Sequence, residues 1–207
     1  MNDRRLVGHR LVVRSTSGIF LVALSIALSG GVASSGCAGT TVTTTPPRAR
    51  TAREYLPLRR DAAWSYDARD QTAGGVATLV TLRVERQDGD TFVVNQGRST
   101  SLYSYAEGGV LRNGETILAD PIREGTTWDG MQGDTYTIRA VGQRRVTPAG
   151  TFENVIEVVR RGREQFVERT FYAPGIGVIE TTTPVVIDHT IHEFRLLLRG
   201  YTLDGAL

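Results

Sequence analysis

Few residues of this chain have the type and spacing that chemistry requires. Cys37 is the only cysteine, so no internal disulfide can staple the fold. His189 and His192 flank Thr190-Ile191, with Asp188 and Glu193 outside them. On a helix that spacing would turn both imidazoles to one side, where they could share a metal. In a strand it points them to opposite faces, and the neighbouring Val185-Val186-Ile187 reads as strand; a bulge between the histidines would reopen the question. The HExxH and Cys/His patterns of zinc sites are absent. No Gly-x-Ser-x-Gly elbow marks a nucleophilic serine, and Gly175-Ile-Gly177 lacks the following helix that a dinucleotide fingerprint needs. Asp61, Asp67, Glu157 and Glu168 are spread along strand-like runs, with no spacing that pairs them for acid–base work. The expectation is a non-enzyme with no metal site and no cofactor.

Cys37 is better placed for a lipid than for a substrate. Arg4, Arg5, Arg10 and Arg14 precede the apolar run Ile19–Leu28, and Ser34-Ser35-Gly36-Cys37 follows. A basic region, an apolar core and a small-residue cleavage zone are the parts of a secretory signal in their working order. The apolar core is too short to span a bilayer, which takes roughly 20 apolar residues. The last four residues resemble a bacterial lipobox, with Ser34 where that signal usually has Leu. The resemblance implies cleavage between Gly36 and Cys37 and acylation of Cys37, and Ala38 after it is compatible with sorting to the outer membrane. A stray cysteine in an ordinary signal, or in an uncleaved anchor, are the alternatives. Several acyl chains would anchor stably, since each buried methylene adds roughly 0.8 kcal/mol and one chain alone is marginal.

The formal charge of +2 belongs to the leader. Removing residues 1–36 leaves 20 basic and 21 acidic residues, a net of −1. That balance lacks the basic excess of a nucleic-acid footprint. All the basic residues are Arg, a bias that follows codon supply rather than function. Residues 37–53 carry Thr and Pro without apolar periodicity and read as an extended tether. Residues 54–207 remain as one domain of ordinary size.

The elements of that domain are strands. Val76, Val80, Leu82 and Val84 share one face of their run, as do Tyr136, Ile138 and Ala140 of theirs, and Thr, Val, Tyr and Ile dominate. Turn signals recur between the runs; Asn113-Gly114 predicts a hairpin with a type I′ turn. About ten strands, the last a long stretch Val178–Leu198 interrupted at Pro184, predict an all-β fold with at most one or two short helices. Its sheet is expected to be single, antiparallel and strongly curved, a half-barrel or incomplete barrel. The strands at Phe152 and Phe166 are apolar on both faces, so the N-terminal segment or a short helix is expected to cover part of the outside. Pro57-Leu-Arg through Trp64 and Pro121-Ile-Arg through Trp128 repeat one frame, which suits either a recurrent strand-entry device or a duplication. Tyr103 and Tyr105 share a face; with Phe152, Phe166, Phe171 and Tyr172 they fill a core or line an apolar cavity.

Tyr55-Leu-Pro-Leu58, Trp64-Ser-Tyr66, Pro148-Ala-Gly-Thr-Phe152 and Tyr172-Ala-Pro-Gly-Ile-Gly177 resemble motifs of a group of uncharacterised bacterial exported lipoproteins. The resemblance spans most of residues 55–180 and departs at Asp61, where the group tends to have Gly. It implies a β-sheet domain, because the motifs are turn and core devices. The curved-sheet architecture is also similar to LolA/LolB-type lipoprotein carriers, a likeness of fold that carries no chemistry. Two roles follow as expectations. One is an envelope lipoprotein, anchored at Cys37 in the outer membrane and facing the periplasm, whose concave sheet binds a hydrophobic small molecule or lipidated client. The other is a structural or interaction module that recruits an envelope protein through a sheet edge or patch. An empty concave face favours the first and a filled one the second.

Overall fold

In the computed structural model, which describes residues 50–162 and 166–203, the alternating runs become twelve strands. They are β1 (Ala63–Asp70), β2 (Thr78–Asp88), β3 (Thr91–Gln96), β4 (Ser99–Ala106), β5 (Gly109–Arg112), β6 (Glu115–Ala119), β7 (Thr127–Asp129), β8 (Thr135–Thr147), β9 (Gly150–Arg161), β10 (Val167–Ala173), β11 (Gly177–Ile187) and β12 (Thr190–Thr202). The α-helix among the described residues is the four-residue α1 (Ala52–Tyr55), and a short 3₁₀ turn covers Met131–Gly133. One antiparallel sheet holds all twelve strands, in the order β6-β5-β4-β3-β2-β1-β12-β11-β10-β9-β8-β7.

Pairing of the first strand with the last joins two six-strand meanders, β1–β6 and β7–β12. Each meander opens on one copy of the Pro…Trp frame, and each indole N–H donates to a backbone carbonyl: Trp64 to Ile176 at 2.7 Å, Trp128 to Thr116 at 2.8 Å. A sheet this wide curls, and its two edges meet. Besides the Trp128 bond, the Tyr136 hydroxyl and the Met131 amide both donate to Glu115 Oε1 at 3.0 Å. No β6–β7 ladder forms among the described residues, so the barrel is nearly closed rather than continuous.

The predicted all-β curved sheet is therefore what forms, with local corrections. Val80, Leu82 and Val84 turn inward as their spacing requires, but Val76 lies ahead of β2 and is 93% exposed. Asn113 and Gly114 take φ of 52° and 85° in the β5–β6 turn, the type I′ geometry expected of that pair. The final stretch breaks at Asp188-His189, not at Pro184. Pro184 sits inside β11 and pairs with Glu193 of β12, beyond the last β10–β11 pair at Thr182. On that side no ladder bond needs its missing N–H.

The outer face and the open end are covered differently from expectation. Register shifts through β8 and positive φ at Gly142 and Asn154 bend the long β8–β9 hairpin. Its far half folds over the outside of β10–β12: Arg145 stacks on the Phe171 ring at 3.8 Å, and the Ala149 amide donates to Leu198 at 3.0 Å. This hairpin, not the helix, shields the outward carboxylate of Glu180, which pairs with Arg195 at 2.9 Å and Arg145 at 3.9 Å. Helix α1 instead caps one end of the barrel. A capping box at Thr51 and Glu54 starts it; the Ala52 amide donates to Asp120 Oδ1 at 2.8 Å, and the Tyr55 hydroxyl to Asn154 O at 2.9 Å. Arg53 pairs with Asp90 and lies over the Tyr105 ring. Residues 51–53, tether-like in composition, thus belong to the fold. Among the described residues the ladders and the core all lie within the compact unit Pro46–Leu207, so that unit carries the contacts its folding uses.

Candidate functional site

Inside the barrel the side chains leave a cavity of about 230 Å³. Its walls come from both meanders, and its two ends differ in chemistry. At the α1 end Leu56 and Leu58 form the floor beside Trp64, Tyr66, Val158 and Val178. The chain enters here because the Tyr105 hydroxyl donates to Leu56 O at 2.8 Å, and the Leu58 amide donates to that same hydroxyl, pinning the segment below the sheet. Toward the opposite end stand Tyr103, Arg112, Tyr136, Arg160, Glu168 and Thr183. Arg160, Glu168 and Thr183 also line a second hollow of about 390 Å³, which reaches the surface between Gln132, Phe166 and the exposed Val186. One end is apolar and stoppered; the other is polar and shares Arg160, Glu168 and Thr183 with the surface hollow.

The charges at the polar end are unequally matched. Arg160 Nε lies 2.7 Å from Asp134 Oδ2, and its Nη1 lies 3.6 Å from Glu168. Glu168 also accepts from Thr183 Oγ1 at 3.3 Å. Arg112, the last residue of β5, makes no ion pair among the described residues. Burial opposes its charge, yet the Tyr103 hydroxyl, Tyr172 and Glu168 more than offset that, and a guanidinium stays protonated in any case. Burial pushes the phenols of Tyr66 and Tyr172 up, and that of Tyr136 likewise despite Arg160 nearby. These tyrosines stay neutral near pH 7; Tyr66 donates to Val178 O at 2.9 Å.

The residues singled out in the sequence do not assemble into a reactive centre. Cys37, Gly36 and the leader lie outside the described residues. His189 is a turn residue rather than a strand residue, since Asp188 and His189 at φ 48° and 63° make the β11–β12 turn. His192 lies on β12 with Nδ1 2.6 Å from Asp70 Oδ2. The histidines are therefore apart, and no group of three metal-capable side chains forms among the described residues. Asp61, Asp67 and Glu157 each face arginine: Arg83, Arg199 and Arg169 respectively. Tyr103 and Tyr105 share the inner face as expected, while Phe171 and Tyr172 separate to opposite faces. Arg112, Arg160 and Glu168 were not singled out as a group, because inward polar residues of three distant strands share no spacing.

Asp70 supplies a pH marker at the rim. Partial burial raises its pKa, but the Ala73 amide, the His192 ring and the Thr72 amide together hold the carboxyl below its usual range. A depressed carboxylate stabilises the fold above its unfolded pKa near ~3.9, and that contribution disappears as pH falls through the lower folded value. Asp70→Asn should therefore flatten the acid limb of a stability–pH curve below about pH 4. Urea unfolding across the pH series measures it; an unchanged acid limb would show that the contacts do not hold in solution.

No protein-family model matches the chain, and no curated protein matches it. Among solved structures it is similar to a protein described as a lipoprotein from Parabacteroides distasonis, 11% identical, with a TM-score of 0.38 over 72% of this chain and 98% of that one. It is also similar to a protein described as exported and of YmcC-like fold from Bacteroides fragilis, 10% identical, with a TM-score of 0.38 over 71% and 98%.

Proposed function

We propose that this chain is an exported binding module of the bacterial cell envelope, anchored through lipid on Cys37, whose barrel holds a small hydrophobic ligand. The supporting observation is the cavity: an interior lined from both meanders, apolar and stoppered at one end, polar and adjoining a surface hollow at the other. A barrel used only as scaffold gains stability by filling its interior. The leader and the lipobox-like Ser34–Cys37 support export and anchoring; the outer membrane is the proposed destination.

The volume narrows the ligand. About 230 Å³ is below the ~300–1,000 Å³ of drug-sized sites and above the ~150 Å³ apolar cavity that takes benzene. By proportion it holds about nine non-hydrogen atoms. A single short chain fits, and the several chains of a lipidated client do not. The test is native mass spectrometry and solvent extraction of the Pro46–Leu207 unit purified without detergent. A bound mass of one small amphiphile is the expected result. A clean apo mass that also takes up no apolar dye would exclude the ligand and favour the interaction role, for which the exposed Val186 and Ile191 beside the β11–β12 turn are the surface to examine.

A further inference from the structure

The cavity's polar end selects for charge. Of its ionised groups, Arg160 is engaged by Asp134 and Glu168, and Glu168 is engaged in turn by Arg160 and Thr183. Arg112 is the group that makes no direct ion pair among the described residues, although Glu168 attracts it and Glu115 is its cross-strand partner on β6. Its fork offers five N–H donors, and Tyr103 is its cross-strand neighbour on β4. A guanidinium in a half-buried cavity whose fork makes no direct carboxylate contact keeps N–H donors that an anion can join. It stands one residue before the Asn113-Gly114 turn and lines the cavity that Leu56 and Leu58 also line.

Resting on the ligand-binding reading above, we propose that the ligand is a single-chain carboxylate of about seven or eight carbons, its head on Arg112 and Tyr103 and its tail toward Trp64, Leu56 and Leu58. The planar fork of Arg matches a carboxylate through two parallel hydrogen bonds, and about nine non-hydrogen atoms set the chain length. A singly charged head suits one guanidinium with donors to spare. A doubly charged phosphate monoester would bring a second negative charge toward Glu168, with Asp134 and Glu115 close behind it.

Isothermal titration of the lipid-stripped Pro46–Leu207 unit with octanoate, octyl phosphate and octan-1-ol tests this. Octanoate should bind roughly ten- to a hundredfold more tightly than octan-1-ol, the worth of a charge-assisted hydrogen bond, and more tightly than octyl phosphate. Arg112→Met should remove the preference for octanoate while leaving octan-1-ol binding in place. Arg112→Lys, which keeps the charge and loses the fork, should retain part of it. Equal binding of octanoate and octan-1-ol by the wild type overturns the proposal with no variant needed, and leaves the ligand-binding reading standing. Preference for octyl phosphate overturns the carboxylate assignment. If none of the three binds, both readings fall together.

Discussion

Gly109→Ala should cost the barrel about 3 kcal/mol or more, the upper end of what overpacking usually takes. A Cβ built at Gly109 would lie 2.3 Å from the Leu118 carbonyl oxygen and 3.1 Å from the Ala119 Cα. Both are backbone atoms, so no rotamer change relieves the clash and β6 itself must shift. Leu118 and Val110 beside it are fully buried, which leaves the strand little room. The damage reaches the cavity floor as well. Asp120, one residue past β6, accepts from the Ala52 amide, and its own amide donates to Gly108 O at 2.8 Å. For a unit of this size each kcal/mol moves the melting temperature by about 2–4 °C, so the expected drop is roughly 6–12 °C. Gly200→Ala is the control: nothing lies within 4 Å of a Cβ there, and the melting temperature should hold or rise slightly. Equal melting of the two variants would mean that β6 yields without loss, and that it does not help hold the end cap.

The wall was more legible in the sequence than its contents. Two-residue alternation at Val80–Val84 and Tyr136–Ala140 names the inward face because the strand period is fixed by geometry, and Asn113-Gly114 names its turn because few residues tolerate two positive φ values. Asp188-His189 makes a turn of the same kind without glycine, so that break passed for a continuation and Pro184 took its place. The bent β8–β9 hairpin was visible only as strands apolar on both faces; what covers them depends on bulges at Gly142 and Asn154, and a bulge leaves little trace in composition. Helix α1 was hidden in the tether because a four-residue helix has no period to show. The cavity was less accessible still. Arg112, Arg160 and Glu168 are ordinary polar residues in amphipathic strands, and only closure of the sheet brings them across from one another.

That closure makes the empty space a property that can be tested separately from the fold. Thr170 is a small, buried residue of β10 that lines the cavity opposite neither the cap nor the rim: it pairs with Val158 on one side and Thr181 on the other, all three on the cavity wall. Thr170→Phe would place a ring into the hollow, between the Arg112 end and the apolar floor. In a filled core such a change costs typically ~1–3 kcal/mol through strain. In a real void the ring gains contacts that the walls lack and removes a buried hydroxyl, so the melting temperature should stay level or rise. Octanoate affinity should fall at least a hundredfold, because ring and chain compete for the same 230 Å³. Arg112→Met has the opposite signature, keeping the space and losing the charge preference. Thermal unfolding and titration on the two variants separate room from recognition. A Thr170→Phe unit that melts lower yet still binds octanoate would show that the interior is packed at that level and that ligand is held elsewhere. A unit that melts higher and no longer binds would locate the binding space between the β10 wall and the cap.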